Sequence, residues 1–125
     1  MIHSAILCLG SNVEPRRERI DSALRLLEDF VKIECTSDVA ESDDITGAGE
    51  PYLNMAVKCS AALDKLEFQR KIAGAERAGG RIAGLHGVVH IDIDLVIWDD
   101  EVVSPADLFS PYFPPLHCQL SQSPG

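Results

Sequence analysis

The sequence predicts an α+β fold in which an antiparallel sheet carries two helices on one face. Three observations lead to this prediction. The chain has 125 residues, a length that suits one domain with a single core. Its apolar positions switch between the period of a strand and the period of a helix. The resulting elements follow in the order strand, helix, strand, strand, helix, strand, and we expect one domain over residues 1–125.

The first half of the chain predicts a strand, a helix and two further strands. Ile2–Leu9 is a mostly apolar run, which is typical of a buried strand. Apolar residues recur at helical spacing from Pro15 to Phe30, where we expect the first helix. Alternation with a period of two then predicts strands at Val31–Val39 and Tyr52–Cys59. The polar stretch Asp38–Pro51 contains two glycines and is expected to be a mobile surface loop.

The second half predicts the second helix and the fourth strand. Asp64 is a good N-cap, and Gly79-Gly80 is a good helix end, so the helix should lie between them. Val88–Trp98 is strongly apolar and predicts a strand, which the turn Asp99-Asp100 closes. From about Ser104 onwards the chain is proline-rich, and we expect a short irregular tail. The complete order of elements is that of a ferredoxin-like sandwich.

The charge balance and composition exclude several classes of protein. Eleven Lys and Arg against twenty Asp and Glu give a net charge of -9, which argues against a nucleic-acid partner. The sequence has no apolar run near the ~20 residues of a membrane span and no secretory signal at its start, so we expect a cytoplasmic protein without a membrane partner. It also lacks the glycine-rich phosphate loops and the kinase signature.

The four cysteines are widely scattered. Cys8, Cys35, Cys59 and Cys118 form no CxxC pair, and the first three lie in apolar strand-like segments. We therefore expect buried free thiols rather than disulfides or a zinc site.

The most informative stretch is His90–Leu95 in the fourth predicted strand. Strand alternation puts Asp92 and Asp94 on one face, with Cα atoms about 7 Å apart. Carboxylates at this spacing can converge on divalent cations, which relieve their mutual repulsion. Alternatively, the two carboxylates only solvate the outer face of an edge strand, although aspartate is disfavoured in strands. The motif alone leaves both interpretations open, and for His90 it favours a surface role.

Four short motifs occur in a fixed order along the chain. They are Leu9-Gly10-Ser11-Asn12, Pro51-Tyr52-Leu53-Asn54, Glu76 with Gly80-Arg81, and Asp92-Ile93-Asp94-Leu95. Together they resemble the 6-hydroxymethyl-7,8-dihydropterin pyrophosphokinase family of folate biosynthesis, over about Ile2 to Pro111. The resemblance implies a ferredoxin-like sandwich that transfers the β,γ-pyrophosphoryl group of Mg²⁺-ATP to the hydroxymethyl group of the pterin and releases AMP.

The resemblance also implies the residues that bind metal and nucleotide. Asp92 and Asp94 would hold two Mg²⁺ ions that bridge the triphosphate of ATP. Glu76 and Arg81 would border the triphosphate, and the backbone of Leu95 would meet the adenine. Asp92, Asp94 and Arg81 would together form the catalytic group.

A further set of positions is implied for the pterin. Tyr52 and Asn54 would line the pterin slot by stacking on the ring and pairing with its amide edge. Ser42 and Ile45 would contribute backbone contacts, and Asp92 would lie near the hydroxyl that attacks.

The chain departs from the family where arginines are expected. Residues 82–125 contain no Lys or Arg, Val89 stands where the family has an arginine, and Tyr112-Phe113 replaces a His-Tyr pair. Two alternatives follow. One is a non-catalytic or altered-function homologue that binds a pterin, a nucleotide or a metal. The other is an unrelated interaction module whose exposed sheet edge pairs with a partner.

Overall fold

The computed structural model describes residues 1–43, 49–79 and 90–121 of the chain. Within these residues, strands and helices alternate in the predicted order, and three further elements follow the fourth strand. The elements are β1 (His3–Ser11), α1 (Arg16–Leu27), β2 (Lys32–Ser42), β3 (Tyr52–Ala61), α2 (Lys65–Ala78), β4 (Asp92–Trp98), β5 (Glu101–Val102), α3 (Pro105–Leu108) and α4 (Phe113–Ser121).

The strands form one antiparallel sheet in the order β2-β3-β1-β4-β5. The ferredoxin-like sandwich predicted from the sequence is therefore confirmed. β1 lies at the centre, and its Gly10 is in register with Asn54 of β3 on one side and Asp92 of β4 on the other. This register brings residues that are distant in sequence to the same end of the sheet.

Helices α1 and α2 cover the first face of the sheet and enclose the larger apolar cluster. Phe68 of α2 is fully buried, and its ring lies 5.0 Å from that of Trp98 and 6.0 Å from that of Phe30, measured between centroids. The predicted N-cap of α2 is confirmed, because the Asp64 carboxylate accepts a 2.8 Å hydrogen bond from the Glu67 amide. Packing of apolar helix faces on the sheet stabilises this side of the fold.

Helix α4 covers the second face of the sheet. Phe113, Leu116 and Leu120 of α4 are buried against the sheet. The irregular tail predicted from Ser104 is therefore wrong for residues 105–108 and 113–121. The prolines that suggested irregularity, Pro114 and Pro115, lie in the first turn of α4, where the missing amide hydrogens remove no intrahelical bond.

Two strand boundaries also differ from the prediction. β2 continues to Ser42, so the predicted loop is wrong for Asp38–Ser42. The pairing of β2 with β3 shifts between Ile33 and Cys35 and again between Thr36 and Val39, and such bulges interrupt the period of two that sequence analysis follows. β4 begins at Asp92, so the predicted strand is wrong for His90 and Ile91. Residues 44–48 and 80–89 lie outside the described residues.

The four cysteines are thiols that form no disulfide with one another, as predicted. Cys8 and Cys59 are buried, Cys35 is half-buried, and Cys118 is exposed. Burial raises the pKa of Cys59 to about 12, so its thiol stays protonated. No helix among the described residues has both the length and the apolar character needed to cross a membrane.

Candidate active site

A cleft of about 180 Å³ lies at the end of the sheet where Gly10, Asn54 and Asp92 come together. Strands β1 to β4 and the α3–α4 region all contribute to its walls. The lining residues are Cys8, Gly10, Ser42, Asp43, Tyr52, Asn54, Asp92, Asp94, Asp107 and Tyr112. Five of the predicted site residues are thus brought to one cavity, namely Ser42, Tyr52, Asn54, Asp92 and Asp94.

Asp92 and Asp94 form the acidic wall of the cleft. Both are half-buried, whereas Ile91, Ile93 and Leu95 between and beside them point into the α1–α2 core. The predicted alternation along β4 is therefore correct, although His90 precedes the strand and does not line the cleft. The aspartates face a cavity rather than open solvent, which argues against the purely solvating interpretation.

Electrostatics at this wall favours a bound cation. Burial, and then the negative charges of Asp92 and Asp107, raise the pKa of Asp94 well above its usual range. A cation beside these carboxylates would offset the repulsion that holds the pKa up. Two carboxylates are a sufficient protein contribution for Mg²⁺, which keeps waters and takes substrate phosphates as its other ligands. Among the described residues, no three His, Cys, Asp or Glu side chains form a complete metal site by themselves.

Tyr52, Asn54 and Ser42 form the opposite wall. Asn54 is buried, and its Nδ2 donates to the Ala40 carbonyl at 3.1 Å and to the Ser42 Oγ at 2.8 Å. Because a carbonyl can only accept, the contact with Ala40 fixes which end of the amide is the nitrogen. The Asn54 Oδ1 then lies beside Gly10, where a Cβ would stand 3.2 Å from it. Gly10 therefore allows this acceptor to approach the strand.

Sequence analysis missed two further carboxylates that line the cleft, Asp43 and Asp107. Asp107 on α3 lines the cavity, and its Oδ2 accepts a 2.7 Å hydrogen bond from the Ser104 hydroxyl. The Tyr112 hydroxyl lies 3.4 Å from Asp107 Oδ1, and burial raises the pKa of Tyr112 beyond its usual range, so this phenol stays protonated. Cys8 in the cleft was also missed, and burial raises its pKa strongly. No local sequence pattern reveals these residues, because the register of β1 with β4 places Cys8 opposite Asp94, and the docking of α3 and α4 brings Asp107 and Tyr112 to the cleft.

A second groove of about 210 Å³ lies between α2 and β4 and shares Asp94 with the first cleft. Its lining includes Glu76 and Leu95, which the family resemblance assigns to ATP. The Glu76 Oε2 accepts a 2.8 Å hydrogen bond from the Ile93 amide, so this carboxylate is fixed against β4. The two predicted residues that lie outside the described residues are Arg81 and Ile45.

Neither groove is lined by a lysine or an arginine among the residues that the structure describes. The described lining of the site therefore consists of acidic and uncharged side chains, and Asp107 adds a negative charge on the α3 side.

Comparison with known proteins identifies the family. The sequence profile described as 7,8-dihydro-6-hydroxymethylpterin-pyrophosphokinase matches residues 6–118. A relative from Aquifex aeolicus, named 2-amino-4-hydroxy-6-hydroxymethyldihydropteridine pyrophosphokinase, is 37% identical over 100 residues, which cover 78% of this chain and 62% of the relative. A relative from Lactococcus lactis subsp. lactis, named Bifunctional protein FolKE, is 30% identical over 115 residues, which cover 89% of this chain and 33% of the relative.

The chain spans less than two thirds of the length of these relatives. The profile match nevertheless runs from β1 into α4 and includes every described residue of both grooves. The chain belongs to the 7,8-dihydro-6-hydroxymethylpterin-pyrophosphokinase family.

Proposed function

We propose that this chain catalyses the Mg²⁺-ATP-dependent transfer of pyrophosphate to 6-hydroxymethyl-7,8-dihydropterin, giving AMP and the pterin diphosphate of folate biosynthesis. One observation carries the proposal. In a chain of this family, Asp92 and Asp94 project together into a cleft whose opposite wall is made by Tyr52 and Asn54. The arrangement suits a reaction in which a charged phosphate donor meets a flat, hydrogen-bonding acceptor.

The pterin occupies the cleft beside Tyr52 and Asn54. The cavity of about 180 Å³ is smaller than the roughly 300–1,000 Å³ of drug-sized ligand pockets, and it suits a small bicyclic ring. Tyr52 stacks on the ring, while the Oδ1 of Asn54 accepts from the N–H groups of its amide edge. Ser42 adds a backbone contact, and so does Ile45.

Asp92 and Asp94 are the residues that would hold Mg²⁺, and together they would hold two ions. Their donor set fits this metal, because Mg²⁺ prefers oxygen ligands and needs few of them from the protein when phosphates supply the rest. When bound, the ions neutralise charge on the transferring phosphates. Asp92 stands on the pterin side of the pair and so also lies near the attacking hydroxyl.

ATP occupies the groove between α2 and β4. Its adenine meets the Leu95 backbone, and its phosphates run past Glu76 towards Asp94, which borders both grooves. Arg81 contributes a cation at the phosphates. Because the two grooves meet at Asp94, the donor phosphate and the acceptor hydroxyl are brought together there, and positioning supplies most of the rate in such transfers.

A second candidate function is supported by the distribution of charge. In other phosphoryl-transfer systems, an arginine that touches the transferring group increases the rate by a factor of roughly 10³ to 10⁵. Residues 82–125 of this chain contain none, and Asp107 adds a carboxylate to the cleft. The second candidate is therefore a homologue that binds pterin or nucleotide without transferring pyrophosphate.

The test is to incubate the protein with Mg²⁺-ATP and the hydroxymethyl dihydropterin and to quantify AMP and pterin diphosphate by chromatography. The wild type should form the two products in equal amounts, and Asp92→Asn and Asp94→Asn should form neither. Asp100→Asn is the matched control, because Asp100 is an exposed aspartate in the turn after β4. Absence of AMP above a protein-free blank defeats the first candidate.

Calorimetry separates the second candidate from failure of both. Binding of pterin or of an ATP analogue without turnover supports the non-catalytic homologue, and absence of both binding and turnover rejects it too. Val89→Arg is the sharper variant. If missing positive charge limits the reaction, this substitution should increase turnover.

A further inference from the structure

We propose that Arg16 is a positioning residue for the pterin side of the cleft, because its guanidinium ties the end of β2 to the start of β3. This inference rests on the function proposed above. It concerns a residue that none of the four family-like motifs contains, and it predicts which of the two substrates depends on that residue.

The guanidinium of Arg16 contacts two strands at once. Its Nη2 lies 2.7 Å from Glu41 Oε1 on β2, and its Nη1 donates to the Pro51 carbonyl at 3.2 Å, directly before β3. Glu41 precedes Ser42 in the chain, and Pro51 precedes Tyr52. Each contact is therefore one residue away from a side chain that lines the cleft. We call this set of contacts the Arg16 brace.

Apart from the exposed Glu14, whose Oε1 lies 3.4 Å from Arg16 Nε, the start of the helix gives no reason for an arginine at this position. Arg16 is the first residue of α1, where the helix dipole disfavours a cation. Its side chain is only 18% exposed, whereas the side chain of its neighbour Arg17 is 57% exposed and pairs with Asp21 within the helix. A planar guanidinium can serve two acceptors in different directions, which a lysine ammonium on its flexible stem does less well. Arg16 thus has the geometry of a tertiary link.

The Arg16 brace acts on the substrate through Ser42 and Tyr52. These two residues are paired in register across β2 and β3, and the Ser42 hydroxyl accepts from Asn54. Loss of the brace should let both strand ends shift, which moves the Tyr52 ring and loosens the Asn54 amide. The nucleotide groove is built from α2 and β4 instead, so it should be unaffected.

The experiment compares Arg16→Ala, Arg16→Lys and the matched control Arg17→Ala in steady-state kinetics with each substrate varied in turn. Arg16→Ala should raise the KM for the pterin by about tenfold, because small displacements of positioning groups are costly. The KM for ATP and the kcat should change by less than about twofold, as should all constants of Arg17→Ala, which loses only an exposed ion pair. Arg16→Lys should recover part of the pterin affinity, since it keeps the charge for Glu41.

Two further measurements do not depend on turnover. Calorimetry gives the pterin affinity of each variant, and hydrogen exchange of the ligand-free protein reports the amides at the end of β2 and the start of β3. Arg16→Ala should weaken pterin binding by a similar factor and accelerate exchange at these amides, with no acceleration in β1 or β4. Arg17→Ala should do neither.

The outcomes separate failure of this inference from failure of the proposed function. A wild type that binds pterin but releases no AMP defeats only the transfer reaction, and the Arg16 brace is then decided by calorimetry and exchange. A wild type that neither binds pterin nor releases AMP overturns both. In an active protein, an unchanged pterin KM in Arg16→Ala overturns the inference, as does an equal rise in the KM for ATP or an equal effect of Arg17→Ala.

Discussion

The two faces of the sheet differ in what covers them. The face under α1 and α2 holds the larger apolar cluster, with Phe68 fully buried at its centre. The face under α4 holds a smaller cluster around Phe113, which gives way at one end to the cleft with Asp92 and Asp94. Since β4 sends alternate side chains to each face, one strand serves stability on one side and chemistry on the other.

This difference teaches that the larger apolar core and the cleft with Asp92 and Asp94 lie on opposite faces of the sheet, while the groove proposed for ATP borders α2. Burial of apolar side chains against α1 and α2 is favourable on folding. Burial of carboxylates beside one another on the other face is unfavourable until a cation arrives. Substitutions should therefore change stability and activity in different proportions on the two faces.

The largest effect is expected for Phe68→Ala on the α1–α2 face. Removal of this ring leaves a cavity between Phe30 and Trp98 and should lower the free energy of unfolding by about 3–5 kcal/mol. Urea denaturation measures the loss, and Leu66→Ala, at an exposed site on the same helix, should change stability by less than about 0.5 kcal/mol. AMP formation per folded molecule should stay near that of the wild type. Equal losses of unfolding free energy in the two variants would mean that burial of Phe68 does not stabilise the core.

Phe113→Ala tests the α4 face and should have a smaller effect on stability. Phe113 is fully buried, but its cluster is the smaller one, so we expect a loss near the lower end of the range for a buried phenylalanine, about 3 kcal/mol by urea denaturation. Unlike Phe68→Ala, this change lies next to Tyr112 in the cleft and should also weaken pterin binding. Wild-type pterin affinity in this variant would contradict the assignment of function to the α4 face.

Asp94→Asn should change stability and activity in opposite directions. In the ligand-free protein Asp94 must either take up a proton or carry its charge in a buried site beside Asp92 and Asp107, and both are unfavourable at neutral pH. An asparagine needs neither, so this variant should be about 1 kcal/mol more stable. AMP formation should disappear. Thermal unfolding with and without Mg²⁺ checks the metal as well, because the cation should stabilise the wild type and the Asp100→Asn control but not this variant. Destabilisation by Asp94→Asn would show that the carboxylate cluster is not strained.

Much of the fold follows from the sequence because the periodic segments are long and clear. The strands around Leu7, Val57 and Ile93 and the helices around Ile20 and Phe68 all show their period directly. Helix α4 was missed because nine residues with two prolines leave only three apolar positions to reveal a helical period. The end of β2 was missed because its bulges shift the alternation.

The site could be predicted only in part, for a similar reason. Asp92 and Asp94 were found because two neighbouring aspartates interrupt a strongly apolar strand, a local signal. Asp107 and Cys8 carry no such signal, since Asp107 reaches the cleft through the docking of α3 on the sheet and Cys8 through the pairing of β1 with β4. Arg16 was missed because its partners, Glu41 and Pro51, are 25 and 35 residues away in the chain.

The smallest effect is expected for Ser42→Ala, which removes a single hydrogen bond from the polar wall of the cleft. The Asn54 Nδ2 loses the Ser42 hydroxyl but still donates to the Ala40 carbonyl, so the amide keeps its orientation. We expect a loss of about 0.5–1 kcal/mol in unfolding free energy, the usual net value of one such bond. The dissociation constant of the pterin should rise only about threefold, because 0.5–1 kcal/mol corresponds to roughly that factor. Ser42→Thr keeps the hydroxyl and should match the wild type in calorimetry, whereas a loss in Ser42→Ala as large as that in Phe113→Ala would mean that this wall also carries core stability.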